Sequence, residues 1–264
     1  NSGNEFYFAP TKNAICLDYK KYLPDMNKFF GDFDMSAMVT WHEGANSPEK
    51  VLTVHSLGDM NSGTYGKIEP KYMHNLLRAY KKEKDKLGLE DYTVVTEATH
   101  WSGAHSEEAD ATLLLGYSVP MVGIEVGSEE ESWSDEKACL ALARTLTQVF
   151  DTDGKRLHNI LCVGGVHFDP NYAEAVFTDW GENECFGVSH ILANQWLVSG
   201  KYEDEDGFDR ARLCVESISG GIEAIVFHDK LKGCYKDLVR KLSEYYNVPN
   251  FKHQRLRKPE ELGL

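Results

Sequence analysis

Short apolar, β-branched runs recur along the chain, and several of them stop on a histidine or a glutamate. The run at 51–56 carries His55, the run at 92–96 is followed by Glu97, and the run at 119–126 carries Glu125. The run at 160–163 leads into Gly164, Gly165 and His167. Further strand-like runs lie at 5–9, 36–41 and 223–227. Between them, apolar residues recur at helical spacing at about 17–30, 70–87, 134–150, 189–199, 208–218 and 231–246. Strands alternating with helices predict an α/β layered fold with a largely parallel or mixed central sheet. In open sheets of that kind, ligands bind outside the carboxyl ends of the strands, which makes the residues ending these runs candidates for a site.

The segment 93–105 is the most informative. A β-branched strand ends in Glu97, and a turn-like stretch follows with His100, Gly103 and His105. Residues three apart in a continuous strand face opposite ways, so a turn after Glu97 is needed to bring Glu97 and His100 together. Glu125 stands inside an otherwise apolar run, where a carboxylate must be paired, bind a metal, hold loop amides or shift its pKa. Gly164 and Gly165 permit positive φ and close approach of the backbone to a ligand. They form no GxGxxG, and no P-loop lysine follows. In the stretch Gly187-Val188-Ser189-His190-Ile191 the pattern predicts that His190 opens a helix with Ser189 as N-cap, a setting that favours neutral imidazole. Ser134 is the expected N-cap of the helix at 134–150, with Asp135 and Glu136 suiting its positive end. His55, Glu97, His100, Glu125, His167 and His190 thus offer the donor types that zinc accepts. His42, His74, His158, His228 and His253 lack such a context and are expected to be structural or exposed. The acidic stretch 202–209 reads as a solvated loop, since its spacing does not match an EF-hand.

Other chemistries are poorly supported. The chain has no GxSxG elbow, no HExxH and no Walker motif. Its six cysteines form no CxxC pair and point to a reduced, cytoplasmic protein. No apolar run is long enough for a membrane-spanning helix. The start at Asn1-Ser2-Gly3, without Met, reads as a trimmed end with no leader. With neither an internal repeat nor a Pro- or Ser-rich linker, residues 1–264 are expected to form a single α/β domain.

The formal net charge is −14, which argues against general coating of DNA. The charge is unevenly spread. Segment 71–86, with Lys81 and Lys82, carries +4, and segment 230–258, with Lys230 and Lys232, carries +7, which leaves −25 on the rest. These segments read either as solvated helix faces and a basic tail at 246–264, or as a phosphate-binding face.

Six stretches together resemble the archaeal and plant-type D-aminoacyl-tRNA deacylases, a family formerly labelled D-tyrosyl-tRNA deacylase. They are Leu52-Thr53-Val54-His55, Glu97-Ala98-Thr99-His100, and Val122-Gly123-Ile124-Glu125-Val126-Gly127-Ser128 with Trp133 and Asp135-Glu136-Lys137-Ala138 after it. The others are Gly164-Gly165-Val166-His167-Phe168-Asp169-Pro170, Gly187-Val188-Ser189-His190-Ile191 and Lys230-Leu231-Lys232-Gly233. They stand in family order over about residues 50–240, whereas residues 1–45 diverge. Trp101-Ser102-Gly103 replace the family's second His and Gly-Pro, and Val166 replaces a third glycine.

The resemblance implies a three-layer α/β/α sandwich with a mixed central sheet, similar to peptidyl-tRNA hydrolases and nucleoside phosphorylases. It also implies a metal-dependent hydrolase, associated with zinc, that cleaves the ester between a D-amino acid and tRNA. On this reading His100, His167 and His190 hold the metal, while Glu97, Glu125 and His55 are catalytic. Gly164 and Gly165 admit the aminoacyl end, and Lys81, Lys82, Lys230 and Lys232 hold tRNA phosphates. The expected partner is tRNA rather than DNA or a membrane, and the expected state is a monomer or weak homodimer. Two alternatives stand beside it: a metal-dependent amidohydrolase or esterase acting on a small substrate, and a non-catalytic tRNA- or nucleotide-binding protein.

Overall fold

The computed structural model describes residues 3–44, 47–101 and 110–264, with the side chain of Cys16 excepted. His105 and Ser102-Gly103 therefore lie outside the described residues. In chain order the elements are α1 (Tyr19–Phe30), β1 (Ser36–His42), β2 (Lys50–Ser56), β3 (Gly58–Asp59), β4 (Thr64–Tyr65), α2 (Pro70–Leu87), β5 (Thr93–Thr96) and β6 (Met121–Ser128). There follow α3 (Glu130–Trp133), α4 (Glu136–Leu146), β7 (Arg156–Val163), α5 (Pro170–Phe177), β8 (Asp179–Trp180) and β9 (Glu184–Leu192). The chain closes with α6 (Asn194–Ser199), α7 (Gly207–Glu216), β10 (Ala224–Phe227), α8 (Gly233–Tyr246) and β11 (Asn250–Lys252).

The larger strands form two sheets, ordered β1-β6-β2-β5 and β11-β10-β7-β9-β8. Each mixes parallel and antiparallel pairs: β2 runs antiparallel to β6 and parallel to β5, and β8 is the antiparallel edge of the second sheet. Just beyond β5 the sheets are joined, because Ala98 N–H donates to His167 O at 2.8 Å and Thr99 N–H donates to Ile191 O at 3.0 Å. One core spans both sheets. It takes Leu52, Val54, Val122, Ile124 and Val126 from the first, Ile160, Cys162, Val188 and Val226 from the second, and Met73, Leu76, Leu77 and Tyr80 from α2. Helices cover both faces. α2, α4 and α5 pack on this core, α7 and α8 pack on the opposite side of the second sheet, and α1 packs beside Met38 and Met121 of the first. The architecture is the mixed α/β sandwich that the resemblance implies, with its strands divided between two joined sheets.

The strand period of two decides which side chains meet. Leu52 and Val54 face the shared core, so Val51, Thr53 and His55 face the other way. The same alternation in β6 turns Val126, Ile124 and Val122 to the core and Glu125 and Gly123 to the second face.

Several local expectations are corrected. Residues 5–9 form no strand, although Phe6 packs against the core. The segment at 189–199 is not a helix from its start. β9 runs through Leu192, α6 begins only at Asn194, and Ser189 is a buried strand residue rather than a cap. A buried strand interrupted by Gly, Ser and His reads much like a buried helix, and the Ser-His pair suggests a cap that tertiary pairing overrides. α4 is capped by Asp135, whose carboxylate accepts from Lys137 N–H and Ala138 N–H, while Ser134 instead donates to Glu130 O. The C-terminal segment is packed rather than loose: β11 extends the second sheet, and Phe251, Leu256 and Leu262 enter the core. Within 202–209, Tyr202 is buried and α7 begins at Gly207.

Candidate active site

The second face of the first sheet carries the site. Glu97, the first residue after β5, is buried, and its Oε1 is the point of convergence. His167 Nε2 lies 2.9 Å from it, His42 Nε2 3.3 Å and His100 Nε2 4.0 Å. The chain does turn after Glu97, with Glu97 N–H still bonded to Val54 O and His100 N–H to Ser56 O, and this brings the two side chains to one place. His167 reaches the cluster from the loop after β7, where two left-handed glycines redirect the backbone. Gly164 has φ +90° and Gly165 φ +84°, and a Cβ on Gly165 would stand 2.2 Å from Asp169 Oδ2. Asp169 is itself the N-cap of α5, accepting from Asn171 N–H at 3.0 Å. The glycines thus shape the turn that delivers His167 and admits the cap of the next helix.

A second group adjoins the first. His55 Nε2 lies 3.6 Å from Glu125 Oε1, which also accepts from Thr40 Oγ1 at 3.2 Å. Gly123 sits opposite His55 in the ladder, and a Cβ there would be 1.9 Å from His55 Nε2, so glycine is what lets the imidazole lie flat on β6. The rings of His55 and His100 stack at 4.0 Å. Ligating atoms of His42, Glu97 and His167 fall within 4.8 Å of one another, as do those of His55, Glu97 and Glu125. Glu97 belongs to both groups.

The imidazoles are oriented from behind. His55 Nδ1 faces Ser56 O at 3.2 Å, His100 Nδ1 faces Ala98 O at 2.9 Å, and His42 Nδ1 faces Ser128 Oγ at 2.9 Å. Carbonyls only accept, so His55 and His100 carry protons on Nδ1 and turn Nε2 toward the carboxylates, as carbonyls bonded behind metal-binding histidines make them do. Burial pushes the Glu97 carboxyl up, but hydrogen bonds from His167 and His42 and the nearby imidazoles hold it well below the usual range. Burial, followed by the charge of His55, pushes His100 down to about 3, against the opposing pull of Glu97. Burial also lowers His42 and His55, but there the carboxylates outweigh it and both are raised. Three buried polar atoms of this face, Thr53 Oγ1, His55 Nε2 and Glu97 Oε2, have no hydrogen-bond partner among the described residues. Two buried carboxylates, neutral imidazole and orphaned donor atoms on one surface are the features of a cation site built from oxygen and nitrogen ligands.

Of the predicted site residues, the fold brings together Glu97, Glu125, His55, His100 and His167. His190 does not join them. It lies in β9, and its ring nitrogens are engaged by Ser56, Thr99 and Ser217. His42, expected to be structural or exposed, is a member of the cluster. Met38, Thr40 and His42 share a strand face at period two, a signal present in the sequence. His74 and His158 are buried and structural, the latter bridging Glu184 and Glu223. His228 and His253 are not isolated: their rings stack at 4.4 Å beside Asp229, forming a third group of potential ligands. Lys81, Lys82, Lys230 and Lys232 are exposed and lie in two places, the later turns of α2 and the approach to α8. Lys81 rims a shallow cleft of about 270 Å³ between β5 and α5, which is lined by Val94, Val95, Ala173 and Phe177.

The sequence profile of the D-aminoacyl-tRNA deacylase family matches residues 29–251. Among similar proteins, the D-aminoacyl-tRNA deacylase of Cenarchaeum symbiosum is 24% identical over 217 residues, covering 74% of this chain and 78% of that protein. The one of Haloarcula marismortui is 30% identical over 188 residues, covering 67% of this chain and 37% of its own length. The one of Natronomonas pharaonis is 25% identical, covering 90% and 51%. The chain therefore spans about a third to a half of the latter two relatives. The crystal structure of a conserved protein of unknown function, AF0625, superposes with a TM-score of 0.69 at 20% identity, over 90% of this chain and 77% of that one.

Proposed function

The chain belongs to the D-aminoacyl-tRNA deacylase family, and from that premise we propose that it hydrolyses the ester joining a D-amino acid to the 3′ end of tRNA, with zinc as cofactor. The observation that carries the reading is the convergence of His42, His100 and His167 on the buried Glu97, with His55 and Glu125 alongside. The donor set fits zinc, because it is imidazole and carboxylate within 4.8 Å, two of its buried atoms have no hydrogen-bond partner among the described residues, and no cysteine is among its members. His42, Glu97 and His167 would hold one ion, and Glu97, His55 and Glu125 form a second set of potential ligands. When bound, zinc supplies polarisation of the ester carbonyl and a lowered pKa for water.

The protein's own groups supply the rest. Glu97 is ionised at neutral pH, so it accepts the proton of an attacking water only if its bonds to His167 and His42 yield. Glu125, bonded through one oxygen to Thr40, is the better placed general base. His100, neutral and with Nε2 directed toward Glu97, orients a polar substrate atom rather than donating charge. His167 is partly exposed, at 25%, and marks the side from which substrate enters. Lys81, Lys82, Lys230 and Lys232 hold phosphates of the tRNA at a distance from the reacting bond.

The test is deacylation of D- and L-aminoacyl-tRNA by zinc-loaded protein. Hydrolysis of the D-form alone is expected. Equal hydrolysis of both forms, or turnover of small esters without tRNA, would favour the broader esterase reading. Glu125→Gln is expected to lower kcat about 10²–10⁴-fold, the usual range for a group that takes part in proton transfer.

A further inference from the structure

His190 is fully buried in β9, with the Tyr65 ring edge-on at 5.2 Å, yet both its ring nitrogens have polar partners. It sits where the ladder is irregular: Ile160 pairs with Val188 and Cys162 with Ile191, so three residues of β9 span two of β7. Such a bulge re-aims a side chain. Phe186, Val188 and Ile191 keep to the shared core, while His190 is turned away from it toward the ends of β2 and β5.

The proton positions around it follow from its partners. Ser217 Oγ donates to Cys214 O at 2.7 Å, which commits its one hydrogen. At 2.9 Å from His190 Nε2, Ser217 must therefore accept, so His190 carries its proton on Nε2. Nδ1 is then the acceptor, and it lies 2.9 Å from Ser56 Oγ and 3.1 Å from Thr99 Oγ1. Those hydroxyls are 2.8 Å apart, and Thr99 Oγ1 also accepts from Ile191 N–H. Neither nitrogen of His190 has a lone pair left for a metal.

Its two hydroxyl partners stand next to the stacked pair in the site. Ser56 follows His55, and its carbonyl accepts from both His55 Nδ1 and His100 N–H. Thr99 precedes His100, whose Nδ1 is bonded to Ala98 O. We propose that His190 is a positioning residue, held as the Nε2–H tautomer, which ties Ser56 and Thr99 to Ser217 of the α7 C-terminus and thereby fixes the stacked rings of His55 and His100. This role does not depend on the reaction proposed above.

The experiment is ¹⁵N and ring-proton NMR of the metal-free protein, compared with Ser217→Ala and His190→Asn. The wild-type protein is expected to show His190 protonated on Nε2 and bare on Nδ1, with His55 and His100 protonated on Nδ1. Ser217→Ala removes only the far end of the chain of bonds and offers no metal ligand. It is expected to shift the His55 and His100 ring resonances, and the double variant is expected to move them no further than His190→Asn alone. Zinc titration is expected to perturb His55, a potential ligand, before His190, with affinity weaker in His190→Asn by less than the roughly 10- to 100-fold usual for a group bonded directly to a ligand. Unmoved His55 and His100 resonances in Ser217→Ala would overturn the proposal. So would a bare Nε2 on His190, or a direct zinc shift on its ring. Each of these outcomes is read without any activity assay, so they stand apart from the fate of the deacylase reading.

Discussion

At the scale of single residues, the site depends as much on a missing side chain as on those present. Gly123 is opposite His55, and an added methyl group would overlap the ring at 1.9 Å. Both strands are held in register through their ladder, so the ring must leave. Gly123→Ala is expected to cost about 1–3 kcal/mol, the usual range for overpacking. It should also release His55 from Glu125, read as a lower urea midpoint together with weakened zinc binding. A stable variant with unchanged zinc affinity would show that His55 is not held there by the glycine. Sequence reasoning finds His55, Glu97, His100, Glu125 and His167 because each ends or interrupts an apolar run. It passes over His42 because a histidine closing a half-exposed edge strand looks like any surface residue until the rest of the sheet is placed beside it.

At the scale of elements, the fold uses local signals whose positions are legible but whose winners are not. Both Ser134 and Asp135 suit a helix start, and the structure chooses Asp135. Its carboxylate reaches two backbone N–H groups and stands 3.1 Å from Tyr92 Oη, an interaction that a serine one residue earlier does not make. Asp135→Ala is expected to cost about 1 kcal/mol, as for other N-caps, with the catalytic rate unchanged because α4 lies on the core side of the first sheet. Thermal denaturation beside a deacylation assay checks both halves of that expectation. β9 is the opposite case. Its run from Glu184 to Leu192 contains Gly, Ser and His and lacks clean alternation, since the bulge breaks the period that a strand otherwise shows. A helix start is the nearest pattern in the sequence, and only pairing with β7 excludes it.

At the scale of the whole molecule, two consequences follow from charge. Burial pushes His190 down to about 3 from an ordinary 6.5. The unfolded chain takes up a proton there below pH 6.5 and the folded chain does not, so stability is complete above that pH and lost as pH falls toward 3. The loss is about 1.4 kcal/mol per pH unit from this one group. Glu97, held below the ordinary carboxylate range, acts in the same direction at lower pH. His100, also pushed down to about 3, acts with His190, whereas His42 and His55, raised by the carboxylates, act against it. The check is therefore the urea midpoint of wild type against His190→Asn at pH 7, 6 and 5: wild type is expected to lose ground to the variant as pH falls, and a difference independent of pH would contradict the buried neutral imidazole. The second consequence concerns tRNA. Many cations of the basic segments are paired locally, such as Lys86 with Glu83 and Lys258 with Glu261, while Lys230 and Lys232 remain exposed. Replacing Lys81, Lys82, Lys230 and Lys232 with Ala is expected to raise KM for aminoacyl-tRNA with little change in kcat. It should also reduce the salt dependence of binding by about one unit of slope for each phosphate that a lysine no longer neutralises.

Alone, the amino-acid sequence determined the layered α/β class, since alternating periods of two and 3.6 admit few other arrangements. It also determined which strand ends carry ionisable groups, and the uneven charge within a net of −14. Tertiary structure decided membership of the site. His42 enters and His190 leaves because the face a side chain occupies depends on register and bulges, and these are settled by pairing between segments far apart in the chain. A one-residue shift turns a strand side chain from one face to the other at no cost visible in composition. The energetic difference appears only when the neighbouring strand, the joined sheets and the buried hydroxyls are in place.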